Sequence, residues 1–465
     1  MTGETETLAR FAADLRISDV PDAVAERAKL LIFDTFGIMV RATHDAESTP
    51  SLLRAAARLG YEGGGISGAG LETSYTPPGA AMINGTLAHS LDFDDTHAGG
   101  SLHPSAPILP AALAAAEMAG VSGRDMLAAI IVGYEVQIHI SLALGPTDHY
   151  RRGYHPSATC GAFGAAAAAG RLLGLDAKGM TRAFGIVLSQ AAGSLQFLED
   201  GAWTKRFQVG WAAQNGLVAA TLAAEGFIGP TKALEGRAGF LSTYAPNPDP
   251  EKVVAGLGGD WETMNIAVKP YPSCRYSHAP LDALISLRAQ NGINGDDVEL
   301  VEVGVSKTGM ILIGEPQASK QSPKTVVDGQ FSMPFLAAVA LRSGGMGWDD
   351  YDRHLKDPAT LDLCRRITTA PDPKPEAEFP ERLSGIVRIR TKYGNFEEFV
   401  RIPKGEPENF VSDLELRAKF DGLTTVTLSD ARRNALSTAL LSLEKVTDVG
   451  ALMALTRSNR TAGAS

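Results

Sequence analysis

The stretch from residue 84 to residue 110 gathers more side chains able to carry protons than any other window of the chain. Its sequence is NGTLAHSLDFDDTHAGGSLHPSAPILP, and the groups of interest are His89, Asp92, Asp94, Asp95, Thr96, His97 and His103. Imidazoles and carboxylates are the side chains that serve most often as general acids and bases. This composition indicates a site for proton transfer. The alternative is a capped helix whose polar groups are merely hydrogen-bonded.

The spacing of these residues predicts how they are placed. His89, Asp92 and Thr96 stand at positions i, i+3 and i+7, which lie on one face of a helix. A glycine pair and a His-Pro pair follow, and both favour a loop. We therefore predict a buried helix that ends in a polar loop and presents Asp92, Thr96 and His103 to one cavity.

Three further polar patches interrupt apolar helical sequence, and each carries a histidine or a lysine. They are Tyr154-His155-Pro156, Thr204-Lys205-Arg206 and Cys274-Arg275-Tyr276-Ser277-His278. Lysine and arginine are seldom buried beside small apolar residues unless they are paired. Lys205 follows Trp203 and precedes the apolar segment WAAQNGLVAATLA, a position from which it would bind or polarise a carboxylate.

Several familiar chemistries lack their sequence patterns in this chain. The run of residues 94–97 is not the DDxxD pattern of diphosphate-binding magnesium sites, and HExxH is absent, so we predict no metal. The GxSxG elbow of a Ser-His-Asp hydrolase is also absent, as is the strand–glycine–helix pattern of dinucleotide binding. What remains is cofactor-free proton transfer, with histidines as acid and base and cations that stabilise an enediolate-like intermediate.

Length and composition bound the class of protein. The chain has 465 residues, of which 44% are hydrophobic and 21% charged, as in globular proteins of roughly two or three domains. A net charge of −10 without a basic block argues against nucleic acid and anionic membrane as partners. The chain has three cysteines that are far apart in sequence, and its N-terminal segment carries acidic residues. With no uninterrupted apolar run of about 18 residues, these features predict a cytoplasmic protein without disulfides, signal peptide or membrane span.

Apolar residues at helical spacing indicate the elements that must position these groups. Residues 5–58 predict helices, and residues 104–228 predict closely packed helices rich in alanine and glycine. The glycine-rich segment 63–70 follows no strand and opens no helix, so we interpret it as a flexible connection rather than a phosphate cradle. His139 stands alone on an apolar helix and is interpreted as a core histidine with satisfied hydrogen bonds.

The pattern changes near residue 266. Alternating apolar residues predict a strand at 298–306 and a hairpin at 386–402 that turns at Tyr393-Gly394-Asn395. Helical patterns lie between these segments and return after Pro403. This mixture indicates an α+β unit placed within a helical protein.

We therefore predict a mainly α protein with a discontinuous principal domain. A large all-helical domain would be formed by residues 1–265 and 404–465, and a smaller α+β lid domain by residues 266–403. The final residues, SNRTAGAS, are expected to be disordered.

Several motifs in combination resemble the MmgE/PrpD family. They are NGTLAHSLDFDDT followed by HPS, GYHPSATCGAFGAAAAAGRLLGL, TKRFQVGWAAQNGLVAATLA, KPYPSCRYSHAPLDA and ELRAKF. That family includes 2-methylcitrate dehydratase, cis-aconitate decarboxylase and iminodisuccinate epimerase. The resemblance implies a helical domain with a smaller lid domain, a homodimer, no cofactor, and an interdomain cleft that binds a small di- or tricarboxylate.

Matched motif by motif, the resemblance also implies which residues form the site. The catalytic set is Asp92, Thr96, His103, His155 and Lys205, and the substrate-binding set is Arg206, Arg275 and His278. His103 and His155 are both candidates for the base, and Lys205 is the opposite acid or the cation that binds a carboxylate. The loop from Thr96 to His103 is longer than in the decarboxylase, which implies a different loop there.

Two departures from the family's patterns bear on the reaction. Dehydratases read HP(G/S)D, whereas Ala106 follows His103-Pro104-Ser105 here, and decarboxylases carry a tyrosine where this chain has Met333. We therefore predict an epimerase, an isomerase that removes and returns an α-proton on an amino-linked dicarboxylate such as iminodisuccinate. A lyase like 2-methylcitrate dehydratase or cis-aconitate decarboxylase is the alternative, and a binding protein without catalysis is a third possibility.

Overall fold

The computed structural model describes residues 3–458 and is mainly α-helical with small sheets, which confirms the predicted fold class. The α-helices in chain order are α1 (Glu4–Asp14), α2 (Asp22–Asp45), α3 (Thr49–Arg58), α4 (Pro77–Ala88), α5 (Ser105–Ala119), α6 (Gly123–Leu144), α7 (Pro146–Arg151), α8 (Pro156–Leu172), α9 (Ala177–Leu188), α10 (Thr204–Ala224), α11 (Phe240–Tyr244), α12 (His278–Asn291), α13 (Lys307–Gly309), α14 (Gln317–Lys320), α15 (Val326–Gln330), α16 (Met333–Ser343), α17 (Asp350–His354), α18 (Pro358–Cys364), α19 (Pro373–Glu378), α20 (Asp413–Thr424), α21 (Asp430–Leu441) and α22 (Val449–Ala454). The strands are β1 (Glu62–Ser67), β2 (Ser74–Tyr75), β3 (Thr96–His97), β4 (Ile266–Ala267), β5 (Val298–Val305), β6 (Ile367–Pro371), β7 (Gly385–Thr391) and β8 (Gly394–Val400). Residues 459–465, in the segment expected to be disordered, lie outside the described residues.

The chain divides into two compact units. The first comprises the residues up to Ala267 and those from Leu423 onward, and the second comprises Val268–Gly422. The chain enters the second unit close to the change of pattern noted at residue 266. It returns to the first unit within α20, later than the sequence pattern indicates.

Residues 404–422, which the sequence analysis assigned to the helical domain, are hydrogen-bonded within the second unit. The backbone N–H of Lys404 donates to Asp282 Oδ2 at 2.6 Å, and Lys419 Nζ donates to the carbonyl of Lys269 at 3.0 Å. These partners are distant in sequence, so the local helical pattern of α20 carries no signal of them.

The core of the first unit is built from small residues and a few aromatic rings. Phe163 of α8 lies with its ring centroid 4.8 Å from that of Phe240 and 6.2 Å from that of Phe184, and all three are fully buried. Burying each such ring contributes about 1.5–3 kcal/mol to the free energy of unfolding. The alanines between them allow the helix backbones to approach, as the sequence predicted.

Glycines bring α10 into close contact with α4 and α8. A Cβ atom on Gly210 would lie 2.3 Å from both Met82 O and Thr86 Oγ1 of α4, and one on Gly216 would lie 2.4 Å from Ala165 Cβ of α8. Only glycine fits at such contacts. These glycines therefore hold α10 against the second half of α4 and the middle of α8.

We expect Gly210→Ala to destabilise the first unit by about 1–3 kcal/mol, because the added methyl group forces α10 away from α4. The measurement is the thermal midpoint followed by circular dichroism. Gly259→Ala is the matched control, since Gly259 is exposed and the nearest atom to its added Cβ is 3.6 Å away. Equal midpoints for both variants would show that the helices are less tightly packed than described.

The second unit contains a four-stranded sheet in the order β6-β5-β7-β8. Strand β5 is parallel to β6 and antiparallel to β7, which forms a hairpin with β8. The predicted strand at 298–306 and hairpin at 386–402 are confirmed. Thr391 pairs with Gly394, so the turn consists of Lys392 and Tyr393, one residue earlier than predicted.

The prediction of a flexible connection at residues 63–70 is wrong. Residues Glu62–Ser67 form β1, which pairs antiparallel with β2. A Cβ on Gly64 would lie 2.2 Å from Thr76 Cα, so the glycine permits close approach of the two backbones. Glycine-rich sequence favours loops by local propensity, and the pairing with a later strand overrides that propensity.

One helix in the described part of the chain, α6, is long and apolar enough to cross a membrane by length and composition. Within the protein, 94% of the most apolar 18-residue window of α6 is buried, as expected of a core helix.

Two polar side chains of α6 are hydrogen-bonded inside the core. The carboxylate of Glu135, in the middle of α6, accepts hydrogen bonds from the backbone of Glu262 and from both the backbone and hydroxyl of Thr263. His139 on α6 is hydrogen-bonded through both ring nitrogens, as predicted.

Candidate active site

The predicted helix through His89, Asp92 and Thr96 is wrong. Helix α4 ends at Ala88, Asp92 has a left-handed backbone with φ of 51°, and Thr96 lies in β3, paired with Ala267. Aspartate is among the few residues other than glycine that adopt this conformation readily. Helical spacing was a poor guide here because the polar side chains that follow Ala88 bond to one another and to neighbouring helices instead of continuing the helix.

The polar segment after α4 meets the first residues of three helices. His103 lies two residues before the start of α5, His155 directly precedes α8, and Lys205 lies in the first turn of α10. The backbone N–H of His103 donates to Ser157 Oγ in the first turn of α8 at 3.1 Å. The N-terminal ends of α5, α8 and α10 therefore converge on one region of the first unit.

A carboxylate joins two of the histidines in this region. Asp94 Oδ2 accepts a hydrogen bond from Nδ1 of His89 at 2.7 Å and lies 3.1 Å from Nδ1 of His103, at ion-pair distance. The rings of His89 and His103 meet edge to face with centroids 4.6 Å apart, and the His155 ring stacks 5.9 Å from that of His89. Asp94 and His89 are fully buried, and 15% of the His103 side chain is exposed.

The charge states follow from this geometry. Burial opposes ionisation of Asp94, yet His89 and His103 hold its pKa well below the usual value, so it is a carboxylate. Burial lowers the pKa of His89 to about 4, despite the adjacent Asp94, so its imidazole is neutral at pH 7. Burial, with the neighbouring His89 and Lys205, also lowers the pKa of His155 well below its usual value.

His155 is held by a second hydrogen-bonded group. Gln208, one turn after Lys205 on α10, lies with its Nε2 3.0 Å from Nδ1 of His155. The same amide accepts a hydrogen bond from Ser194 N–H through Oε1 at 2.8 Å and donates to the Ser194 carbonyl at 3.2 Å. The aromatic ring of Phe197 lies edge to face with His155 at 5.8 Å between centroids.

Lys205 forms an ion pair with Asp92, with Nζ 2.8 Å from Oδ1. Burial opposes the charge, but Asp92 and then Asp94 raise the pKa of Lys205 above its usual value, so it is a cation throughout the neutral range. Tyr150, which is 40% exposed, lies close enough for the charges of Lys205 and Asp92 to act on its phenol. Arg206 instead donates to Ser48 Oγ at 3.3 Å.

Thr96 is buried, and its Oγ1 has no hydrogen-bond partner among residues 3–458. The same holds for His89 Nε2 and Asp94 Oδ1. Buried polar atoms are nearly always hydrogen-bonded to protein or to a ligand or water. These three atoms are therefore available for hydrogen bonds to water or to a ligand.

The neighbouring Asp95 has a different environment from Asp94. It accepts a hydrogen bond from the Ser105 backbone N–H at 3.1 Å and bonds to the Ser105 hydroxyl, which in turn lies 2.6 Å from Tyr134 OH. Burial and the nearby charge of Asp94 raise the pKa of Asp95 to about 8, against the two Ser105 hydrogen bonds. Asp95 is thus a neutral acid that anchors α5.

We expect the stability of the protein to fall between about pH 4 and pH 8 through Asp95, because the folded state keeps a proton that the unfolded state has lost. Asp95→Asn, a neutral mimic of the protonated acid, removes this contribution. The thermal midpoint of the variant minus that of the wild type should therefore rise from about pH 5 to pH 8. A difference independent of pH would contradict the neutral acid, and the comparison cancels the titration of all other groups.

The predicted substrate-binding residues His278 and Arg275 lie in the second unit. The guanidinium of Arg275 forms a two-pronged ion pair with the carboxylate of Glu406. His278 begins α12, is buried, and donates a hydrogen bond from Nε2 to the Ser273 carbonyl at 3.3 Å. Burial, with the nearby Lys269 and Arg275, lowers its pKa to about 3.

One group of possible metal ligands occurs among residues 3–458. His89, Asp94 and His103 each offer a ligand atom within 4.8 Å of the others. Two ligands of one zinc ion are separated by about 3.3 Å in tetrahedral geometry. The 2.7 Å between His89 Nδ1 and Asp94 Oδ2 is shorter and is the distance of a hydrogen bond. The arrangement therefore fits a hydrogen-bonded cluster better than a metal centre.

Sequence reasoning did not assign three residues that the structure places beside the predicted ones. Asp94 and His89 were recognised as groups able to carry protons, and His89 was placed on the predicted helix face, but neither is in the site that the family resemblance implies. Gln208 was missed altogether, although it stands at i+3 from Lys205 and so shares a helix face with it. That spacing was the one available signal.

The relatives of the chain include proteins named for a decarboxylation. The cis-aconitate decarboxylase-like protein oryM of Aspergillus oryzae is 31% identical, over 97% of this chain and 96% of that protein. The cis-aconitate decarboxylase of Aspergillus terreus is 31% identical, over 98% of this chain and 96% of its own. The human cis-aconitate decarboxylase is 32% identical, over 74% of this chain and 71% of its own.

These names correct the predicted reaction. A decarboxylase is a lyase, so the prediction of an isomerase of the epimerase type is wrong. The two missing side chains on which it depended were poor indicators. Met333 packs fully buried in the apolar core of the second unit, and Ala106 is fully buried in α5. The absence of a polar group at such positions carries little information about the reaction.

Family models match almost the entire length of the chain. The MmgE/PrpD N-terminal domain matches residues 6–253, and the MmgE/PrpD C-terminal domain matches residues 271–444. Together with the full-length relatives, these matches show that the chain belongs to the MmgE/PrpD family.

Proposed function

We propose that this protein is a cofactor-independent decarboxylase that acts on cis-aconitate or a closely related unsaturated tricarboxylate. The observation that carries the proposal is the convergence of three helix N-termini and Lys205 on a cluster of histidines. Relatives that bear the name of cis-aconitate decarboxylase over nearly the whole chain support it.

The electrostatics of the region suit a polyanion. The N-terminal end of a helix carries a partial positive charge and unpaired backbone N–H groups, which bind carboxylates. Helices α5, α8 and α10 each contribute such an end, and Lys205 adds a full positive charge. These positive groups act locally, since Asp92 is paired with Lys205 and Asp94 is ionised; a substrate carboxylate would therefore bind at the helix ends and by displacing Asp92 from Lys205.

Decarboxylation of such a substrate needs a positive environment and one proton. The bond between the saturated carbon and its carboxylate breaks, CO2 leaves, and the electron pair spreads over the allylic system. The distant carbon, next to a second carboxylate, then takes up a proton and the double bond shifts. Fixed cations that stabilise the developing charge on that carboxylate lower the barrier.

The residues of the first unit divide these tasks. Lys205 binds a carboxylate of the substrate, and His103, beside the Asp94 carboxylate, is placed to exchange a proton. His155 is within reach of the same region, as the ring contacts with His89 show. Thr96 Oγ1 and His89 Nε2 supply further polar contacts.

The test is an assay of the purified protein against cis-aconitate, with CO2 release and product structure measured by NMR. We expect CO2 and an unsaturated dicarboxylate in equal amounts, without added cofactor. 2-Methylcitrate and a single stereoisomer of iminodisuccinate serve as comparison substrates. Dehydration of 2-methylcitrate without any decarboxylation of cis-aconitate would replace the proposal by a dehydratase.

We propose further that the protein is a homodimer and works in the cytoplasm. The family resemblance supports the dimer. The three cysteines Cys160, Cys274 and Cys364 are free and buried, which suits a reducing compartment.

We expect this activity to survive exhaustive chelation and dialysis, because His89, Asp94 and His103 are spaced as hydrogen-bonded groups. The measurement is turnover before and after treatment, with total metal determined on the same sample. Loss of turnover that one divalent ion restores would instead assign the three residues to a metal centre.

A further inference from the structure

We propose that His155 and His103 carry opposite tautomers: Gln208 fixes His155 as an Nε2–H hydrogen-bond donor, whereas Asp94 leaves His103 as the histidine that exchanges the proton. The inference rests on the proposed function for the roles of the two residues. The tautomer of His155 follows from hydrogen bonds in the first unit, and that of His103 from the distance of its Nδ1 to the Asp94 carboxylate.

The orientation of the Gln208 amide is determined by its backbone partner. The N–H of Ser194 can only donate, so the amide atom 2.8 Å from it must be the oxygen Oε1. The NH2 group then faces the Ser194 carbonyl at 3.2 Å, which can only accept. Both contacts agree, so the amide cannot be turned over without losing two hydrogen bonds.

The second hydrogen of this NH2 group is directed at His155. Nδ1 of His155 lies 3.0 Å from Gln208 Nε2, and an amide nitrogen has no lone pair to offer as an acceptor. Nδ1 must therefore be the acceptor, and the proton of the neutral imidazole resides on Nε2. Protonation of Nδ1 would place two donors against each other in a buried site.

His103 has the opposite partner. Its Nδ1 lies 3.1 Å from Asp94 Oδ2, at ion-pair distance but outside hydrogen-bond geometry, and a carboxylate only accepts. Nδ1 of His103 therefore carries hydrogen, and its Nε2 is the atom that can take up or release a proton. The negative charge of Asp94 also stabilises the imidazolium that forms when it does.

The two histidines are thus not interchangeable. His155 offers a permanent hydrogen bond through Nε2–H to a carboxylate of the substrate and does not change its protonation during the reaction. His103 first takes a proton from solvent on Nε2, which gives an imidazolium beside Asp94, and then delivers that proton to the allylic carbanion after CO2 has left, returning to the neutral Nδ1–H form. Gln208 is a positioning residue, since it acts only through His155.

The tautomers can be measured without substrate. In protein labelled with 15N-histidine, the two ring nitrogens of a neutral imidazole have separate 15N shifts that identify which one carries hydrogen. The chain has nine histidines, so the His155 signals are assigned by their loss in His155→Gln. We expect hydrogen on Nε2 of His155 in the wild type. Hydrogen on Nδ1 would overturn the proposal whatever the protein's activity.

Kinetics test the roles. A glutamine amide donates from nearly the position of Nε2–H but does not titrate. His155→Gln should therefore keep turnover within roughly tenfold of the wild type, whereas His155→Ala should lose roughly a hundredfold or more. His103→Gln should be as impaired as His103→Ala. If His155→Gln is as inactive as His155→Ala while its circular dichroism is unchanged, His155 transfers protons and the assignment of roles is wrong.

Gln208→Glu tests the positioning residue. The new carboxylate demands hydrogen on Nδ1 of His155, so the 15N signals should change to the other tautomer and turnover should fall roughly a hundredfold. Gln317→Glu, on an exposed side chain of the second unit, is the matched control. A normal tautomer and normal turnover in Gln208→Glu would overturn the role of Gln208. A wild-type protein without decarboxylase activity would reject the proposed function but leave the tautomer measurement standing.

Discussion

Replacing Lys205 by alanine will lower the turnover of cis-aconitate by roughly a hundredfold or more, because one cation at a developing negative charge contributes that much. Lys205 is the ion-pair partner of Asp92 at 2.8 Å, and its pKa is raised by Asp92 and Asp94 against the opposing effect of burial. The side chain is therefore charged at every pH at which the enzyme would be assayed. A carboxylate of the substrate would compete with Asp92 for it.

The measurement is kcat and KM from initial rates, with Lys178→Ala as the matched control. Lys178 is an exposed lysine on α9, so its loss removes the same charge from the chain without altering the site. Lys205→Arg should recover part of the lost rate, since it restores the charge with a different geometry. Near-normal kinetics for Lys205→Ala would show that the substrate binds elsewhere.

Helix pairing was the most predictable part of the fold. Alanine- and glycine-rich segments such as those of α8 and α10 predict helices in close contact, because only small side chains fit between helix backbones that approach each other so closely. Gly210 and Gly216 show this directly. Strand β6 and the pairing of β1 were not predicted, because their partners are distant in sequence and the local propensity of each segment favours something else.

The site was predictable as a region and not as a geometry. Residues 89–103 were identified by composition, but the helix ends before them and Asp92 takes a left-handed backbone. Local spacing cannot show which carboxylate faces which imidazole, since that depends on how α5, α8 and α10 converge. For the same reason Gln208 became visible only once α10 was placed beside His155.

The choice of reaction depended on missing side chains, and this was its weakness. Met333 and Ala106 differ from the residues expected of other reactions, yet Met333 lies in the apolar core of the second unit. A difference in sequence bears on chemistry only if the side chain reaches the substrate. Burial among aliphatic groups removes that condition, and sequence alone does not show it.

Asp94→Asn is expected to reduce kcat by roughly 10²–10⁴-fold while changing KM much less, because the effect is on a proton transfer and not on substrate binding. The amide is neutral and cannot stabilise the imidazolium of His103. It also offers an NH2 group that competes for contact with Nδ1 of His89 and His103, which lie 2.7 Å and 3.1 Å from the native carboxylate oxygen. In a Ser-His-Asp hydrolase the same substitution costs about 10⁴-fold for this reason.

Asp95→Asn is the matched control for Asp94→Asn. It is the same substitution at the adjacent residue, and Asp95 has a pKa raised to about 8 by burial, so its carboxyl is already neutral at pH 7. If the hydrogen-bonded carboxylate is what matters, kcat should fall for Asp94→Asn and remain within roughly tenfold of the wild type for Asp95→Asn. Equal losses in both variants would indicate a general disturbance of the segment after α4. Equal retention would mean that His103 needs no carboxylate and that the proton is delivered from another group.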